Sequence, residues 1–257
     1  MSPPDTFRKL VFVVPLQSPE VSRNWPLVSR LATGCIGSIL NQSHPAFHAI
    51  LVCNRRPENL LVHPRLTVIE ESFPIPDGVR LKRIGDKYRK IHRGLVEARQ
   101  FAPCPIMRVD ADDRISSHLA GWVASHFSPY GWIVNRGYVH DIGSRWFYAE
   151  NCFHLRCGTS HVIHVGPGDL PQDMDDNPDN IELLKWGHHI IKARMEATNR
   201  PLLPIPFRPV VYMVGTGDND SGFSLKGWRS KKIMLKKLLG LRPLTARLRR
   251  EFLLGPS

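Results

Sequence analysis

Apolar and polar positions alternate along the first half of the chain between short apolar runs and longer stretches of helical spacing. Leu10 to Val14 is a brief valine-rich run closed by Pro15, the pattern of a parallel strand buried on both faces. Leu27, Val28, Leu31, Ala32, Cys35, Ile36, Ile39 and Leu40 then recur at helical spacing, and the pattern stops at Asn41 before the turn-like Gln42-Ser43-His44-Pro45. Ala49 to Cys53 and Leu66 to Ile69 predict a second and a third strand, followed by a proline-rich loop over residues 73–77. Lys87 to Gln100, with Ile91, Leu95 and Ala98 on one face, predicts a helix leading into a fourth strand, Ile106 to Val109. Beyond it, Trp132 to Tyr138, Ala149 to Leu155 and Arg208 to Val214 read as strands and Ile181 to Ala197 as a helix, with no internal repeat.

This alternation predicts an α/β fold built on a mostly parallel sheet with helices on both faces, whose ligands sit just beyond the carboxyl ends of the strands. The 257 residues, 42% of them hydrophobic, can bury one large core. Residues 1–222 therefore read as one domain with halves at about 8–120 and 121–222, and 223–257 as a tail. Charge sharpens that division. The net charge is +12, yet ten basic and no acidic residues lie between Ser224 and Arg250, so the basicity belongs to the tail and a nucleic-acid-binding surface is not favoured. From Leu225, the apolar Ile233, Met234, Leu235, Leu238 and Leu239 alternate with Lys231, Lys232, Lys236, Lys237 and Arg242, which predicts a basic amphipathic helix. Such a helix over 225–250 suits a peripheral anchor on anionic lipid; docking on the protein's own core accounts for the same pattern.

No run reaches the 18 to 20 apolar residues of a membrane span, and the N-terminus lacks a secretory apolar segment, so the expectation is a cytoplasmic protein, peripheral at most on the inner membrane face. Cys35, Cys53, Cys104, Cys152 and Cys157 are an odd number among apolar neighbours, the pattern of reduced thiols.

The sharpest chemical signal is Asp110-Ala111-Asp112-Asp113, three carboxylates directly after the predicted fourth strand. Clustered carboxylates repel one another unless a cation neutralises them, and Mg²⁺ or Mn²⁺ prefers such oxygen ligands. A solvated acidic turn capping a helix near Ser116 or Ser117 would use the same residues.

Ile39-Leu40-Asn41-Gln42-Ser43-His44-Pro45 with the strand after it, and Arg108-Val109-Asp110-Ala111-Asp112-Asp113-Arg114-Ile115, together resemble family-2 glycosyltransferases of the GT-A fold. The resemblance covers about residues 8–120. It implies a Rossmann-like nucleotide-sugar-binding half, a smaller acceptor-side half, and a DxD motif in which Asp110, Asp112 and Asp113 hold Mn²⁺ or Mg²⁺ on the donor's diphosphate. Donor contacts then fall after the first two strands, at Pro15, Gln17, Asn54 and Arg55, and at Asp110; Lys87 and Lys90, on the helix before the fourth strand, are candidate phosphate partners, and an ordinary solvated helix face explains them equally. Asn54-Arg55-Arg56 stands where many relatives carry an acidic residue, and arginines there suit a diphosphate. Cys157-Gly158-Thr159-Ser160 looks like an acceptor-side segment and Tyr212 to Gly222 like a donor-closing one. Where relatives place a histidine metal ligand, near 215–220, this chain offers Asp218 or Asp220.

The implied reaction moves a sugar from a nucleotide-diphosphate donor to a glycan or lipid-linked acceptor hydroxyl, with inversion. The leaving group gains negative charge while the sugar gains oxocarbenium character, so cations lower the barrier. Asp173, Asp175 and Asp176, ahead of the helix at Ile181, are the candidates for the carboxylate that deprotonates the acceptor; helix capping explains them equally. The same loop fails as a calcium hand, with Pro178 in place of the turn glycine and Leu184 in place of the bidentate glutamate. Cys152, His154, Cys157, His161 and His164 invite a zinc site but fit no standard spacing, and a strand and turn explain them more simply. His188 and His189 are candidates for acceptor or metal contact as well as for packing. Gly215 and Gly217 lack the rest of a dinucleotide or phosphate-loop motif, and no Gly-x-Ser-x-Gly elbow is present. The alternatives to an enzyme are a catalytically silent sugar-nucleotide-binding relative and a basic nucleic-acid-binding module.

Overall fold

The run Leu10–Pro15 is β1, buried along its whole length at the middle of a seven-stranded sheet. A computed structural model describes residues 9–76, 80–215 and 240–255. In chain order the elements are β1 (Leu10–Pro15), α1 (Trp25–Leu40), β2 (Phe47–Cys53), β3 (Leu66–Glu70), α2 (Arg80–Ala98), β4 (Cys104–Arg108), β5 (Arg114–Ile115), α3 (Leu119–Ser125) and β6 (Gly131–Ile133). There follow β7 (Gly137–Asp141), β8 (Trp146–Glu150), β9 (His161–Val165), α4 (Glu182–Lys185), α5 (His188–Ala197), β10 (Leu203–Pro204), β11 (Val210–Val214), β12 (Leu241–Pro243) and α6 (Ala246–Glu251). The protein is thus α/β, with a mixed sheet of mostly parallel strands flanked by helices.

The large sheet runs β10-β6-β9-β4-β1-β2-β3; β1 pairs in parallel with both β2 and β4, while β9 runs antiparallel between β4 and β6. Alternate residues of the buried strands feed two cores, as a strand with a period of two requires. Leu10, Phe12 and Val14 meet Cys35, Ile36 and Ile39 of α1, whereas Val11 and Val13 meet Ile91 and Leu95 of α2. Asn24 caps α1 by accepting from the Leu27 amide at 3.1 Å. The order reverses at β1: the chain lays β2 and β3 to one side, then returns to set β4 on the other. In open α/β sheets ligands bind beyond the carboxyl ends of the strands at such a switch point, here β1 and β4.

A second, five-stranded sheet runs β12-β8-β7-β11-β5. Only residues 109–113 separate β4 in the large sheet from β5 in the small one. Phe252, fully buried just after α6, joins Phe147, Val211 and Met213 on one face of the small sheet.

Several expectations are corrected. The stretch Trp132 to Tyr138 is two strands in different sheets, β6 and β7, parted at residues 134–136. Ala149 to Leu155 divides into the end of β8 and a 3-10 turn at Phe153–Leu155, and Ile181 to Ala197 breaks at Trp186-Gly187 into α4 and α5. Of the predicted tail helix, 225–239 lie outside the described residues, as does Asp218; the described remainder is the edge strand β12 and the short α6, docked through Leu248 and Phe252. Among the described residues no helix is long and apolar enough to cross a membrane.

Candidate functional site

Asp110, Asp112 and Asp113 follow β4 at the switch point, and the turn that carries them is fixed from three sides. The Asp113 amide donates to the Asp110 carbonyl at 3.0 Å, closing the turn on itself. From α1, the Cys35 thiol donates to the Asp110 carbonyl at 3.6 Å. Arg114, buried beneath, donates through Nη1 to the carbonyls of Leu31, Asp112 and Asp113 at 3.2, 3.0 and 3.1 Å. A guanidinium buried on backbone carbonyls holds the turn to α1 with charge-assisted hydrogen bonds.

The third side is Cys157-Gly158-Thr159. Thr159 Oγ1 accepts from the Asp110 amide at 2.9 Å and donates to Asp113 Oδ2 at 2.5 Å, while the Cys157 thiol donates to the same oxygen at 3.0 Å. Asp113 Oδ1 accepts the Met213 amide of β11 at 3.3 Å. Asp113 is fully buried, so it spends both oxygens on the fold. Burial first, then the charges of Asp112 and Asp110, raise its carboxyl well above the usual range, only partly offset by the Thr159 and Cys157 hydrogen bonds. Ligand atoms of Asp110, Asp113 and Cys157 lie within 4.8 Å of one another. Cys157 and Asp113 bond to each other there, and burial, then the charges of Asp113 and Asp110, raise the Cys157 thiol well above its ordinary value. Asp113 thus braces the turn, and with Asp110 and Cys157 it is also among the groups close enough to share a metal ion.

Asp110 and Asp112 remain. Lys87 of α2 donates to Asp110 Oδ1 at 2.5 Å. Burial opposes the Asp110 charge, but the Lys87 charge and hydrogen bond, with His188 and Arg108 behind them, outweigh it and lower its pKa. Among the described residues no lysine bonds to Asp112 in this way: burial, then the charge of Asp110, push its carboxyl up to about 6 against the charges of Lys87 and Arg114. Asp110 and Asp112 offer hard oxygen donors within one turn, and Asp112 stays raised in spite of the Lys87 and Arg114 charges, so these residues fit a divalent cation. Gly158 forms the floor, where a Cβ would lie 2.9 Å from Asp110 Oδ2. Only the residue without a side chain leaves that carboxylate its place.

The other candidates distribute unevenly. Pro15 is buried at the end of β1 and Gln17 is half-buried just beyond it, at the switch point. Asn54, after β2, donates to the Phe73 carbonyl at 2.8 Å, and its Oδ1 is buried without a hydrogen-bond partner among the described residues. Arg55 is exposed, 3.7 Å from Glu20. Lys90 is fully buried in an ion pair with Asp86 at 2.7 Å, under the Phe73 ring. Sealed there, it does not reach Asp110 as Lys87 does, which corrects its assignment to the diphosphate.

Asp173, Asp175 and Asp176 lie elsewhere. Their loop meets His92, which sits on α2 about one and a half turns past Lys87 and bonds to the Asp173 backbone. Asp173 Oδ1 accepts the Asp175 amide at 2.9 Å and Asp176 Oδ2 the Gln172 amide at 2.6 Å, so these carboxylates close local turns. The histidine whose charge acts on Asp110 is His188, half-buried at the start of α5. The proposed zinc residues also separate: Cys152 is exposed, and the His164 ring packs edge-on against Trp132 at 5.0 Å.

Three contributors carry little signal in sequence. Gln42 clamps the entry of α3, donating to the Ser116 carbonyl and accepting the Ala120 amide, both at 2.7 Å. Arg108 donates to the carbonyls of Leu183 at 2.7 Å and Trp186 at 3.5 Å, and Arg114 is invisible as a brace until α1 is folded over it. The chain gives no match to protein-family models and none to curated proteins, so its function has to be argued from these residues.

Proposed function

We propose that the chain is a divalent-cation-dependent glycosyltransferase of GT-A type, moving a sugar from a nucleotide-diphosphate donor to a hydroxyl of a glycan or lipid-linked acceptor. The observation that carries this reading is the Asp110-Ala111-Asp112 turn at the β1/β4 switch point, with Asp112 raised by burial and by the Asp110 charge. Asp110 and Asp112 hold the Mn²⁺ or Mg²⁺. Bound there, the ion supplies positive charge to the departing diphosphate. Lys87 adds a second cation beside Asp110, and Gln17 and Asn54 flank the donor from the ends of β1 and β2. The Asp113–Thr159–Cys157 network keeps the two carboxylates aimed while charge develops, so little reorganisation is left for the reaction itself.

A second reading, a relative that binds a sugar nucleotide without transferring sugar, is favoured by one observation: the expected base loop lies against His92 and not beside Asp110. Both readings meet the same assay. Mn²⁺-dependent hydrolysis of UDP-, GDP-, dTDP- and CMP-sugars is measured on the chain and on Asp112→Ala, alongside thermal shifts with the free nucleotides. Turnover lost in the variant supports transfer. Nucleotide binding without turnover selects the silent relative, and neither binding nor turnover overturns both.

A further inference from the structure

The two residues whose carbonyls Arg108 takes, Leu183 and Trp186, also wall a cleft between β9 and the α4–α5 segment. It encloses about 470 Å³, solvent at its mouth included, towards the lower end of the space that small-molecule sites offer. Its lining is largely apolar. Ile163 and Val165, two apart on β9, turn to the same face of the sheet, and Ile191 and Met195, four apart on α5, share one side of that helix. With Leu183 they make a floor that is buried except at the half-buried Ile163.

The charged groups of the walls fall into two sets. Arg200 donates through Nη2 to Glu182 Oε1 at 2.5 Å and through Nε to Thr198 Oγ1 at 3.2 Å, and Asp169 Oδ2 accepts the Gly166 amide at 2.7 Å. Those groups are engaged within the protein. Arg194 is not: its guanidinium lies over the Trp186 ring, 4.3 Å from the centroid, with no carboxylate and no hydrogen-bond acceptor among the described residues. Lys185 Nζ, 5.5 Å from the same centroid, likewise has no carboxylate among them. A guanidinium laid on an indole is restricted before any ligand arrives, and its planar set of N–H donors suits a carboxylate or a phosphate. The apolar floor asks for more than a bare anion, which would leave it wet. A sugar would need the Trp186 face, and two cations already overlie that ring.

We propose that this cleft binds an amphipathic anion: an alkyl or acyl chain on the floor of Ile163, Val165, Leu183, Ile191 and Met195, with its carboxylate or phosphate on Arg194. The site is separate from the cation turn at Asp110 and Asp112 and does not rest on the transferase reading. Chain and head group each contribute, the first by removing apolar surface from water and the second by a charge-assisted pair with a guanidinium that Trp186 holds in place.

The test titrates octanoate, octyl phosphate, octanol and inorganic phosphate into the full chain, followed by calorimetry and by NMR of the Trp186 indole, without Mn²⁺ or nucleotide. One octanoate or octyl phosphate is expected to bind per chain and to shift the Trp186 signal. The tighter of the two tells a fatty carboxylate from a lipid phosphate as the head group. Octanol and inorganic phosphate should each bind at least about tenfold more weakly than that anion. Arg194→Gln, at an exposed position on α5, should bring the anion down to the affinity of octanol, and Asp112→Asn should leave it unchanged. Inorganic phosphate binding as tightly as octyl phosphate would show the floor unused and overturn the proposal, as would octanol binding as tightly as octanoate. Undiminished affinity in Arg194→Gln, displacement by a nucleoside diphosphate with Mn²⁺, or no binding of either anion by the folded chain would overturn it as well. An amphipathic anion bound by a chain that neither binds nor hydrolyses a nucleotide sugar would uphold the cleft and sink the transferase reading.

Discussion

Neighbouring aspartates in one turn differ in what removing them should do. Asp110→Asn and Asp112→Asn each lose a cation ligand, and Mn²⁺-dependent turnover is expected to fall by about 10³-fold or more in steady-state assays while urea denaturation changes little. Asp113→Ala should behave in the opposite way. It leaves Thr159, Cys157 and the Met213 amide without their acceptor, so a loss of roughly 3 kcal/mol or more is expected from the urea midpoint. Gly158→Ala separates the two effects within one residue: a Cβ 2.9 Å from Asp110 Oδ2 displaces the carboxylate, and calorimetry with Mn²⁺ should show affinity lost before stability. The acidic turn itself was legible in the sequence. Its division of labour was not, because the partners that single out Asp113 come from 44, 46 and 100 residues away.

Among the elements, those whose residues bury themselves by simple periodicity were readable, β1 to β4 and α1 above all. Boundaries set by distant partners were not. Helical spacing runs on through Trp186-Gly187, but Arg108 takes the carbonyls of Leu183 and Trp186, and the chain turns there so that α5 starts afresh beside the site. Arg108→Met is accordingly expected to raise hydrogen exchange in residues 183–190 while sparing β1 and β2, at a cost of about 2 kcal/mol. Trp132 to Tyr138 read as one strand because nothing local marks the exchange of sheets at Asn135. Gly131 marks its beginning: its φ is +115°, and a Cβ there would meet the Val162 carbonyl at 2.0 Å. Gly131→Ala should therefore destabilise the chain by more than about 2 kcal/mol, read as a lowered thermal midpoint.

For the molecule as a whole, acid stability follows from the buried histidine. The folded His161 pKa of about 3 lies below the unfolded value near 6.5, so in that window the unfolded chain binds more protons. Its contribution is fully present above pH 6.5 and is lost as pH falls towards 3, to the extent of roughly 4 kcal/mol. Asp112, raised to about 6, runs the other way between pH 4 and 6, which is why the difference between the chain and His161→Asn is the quantity to follow. That difference, from urea curves at pH 7, 5.5 and 4.5, should shift steadily in favour of His161→Asn as pH falls; a constant difference would contradict the assignment. Residues 109–113 are also the thread by which the main chain leaves β4 for the small sheet, with the Met213 amide of β11 tied back to them through Asp113. A slide of one sheet past the other must consequently stretch or relax the gap between the Asp110 and Asp112 carboxylates. Force applied through α6, which is tied to Ser116 and Ser117 just past the turn, would then register as a change in grip on the proposed ion, making the turn a strain gauge as well as a ligand.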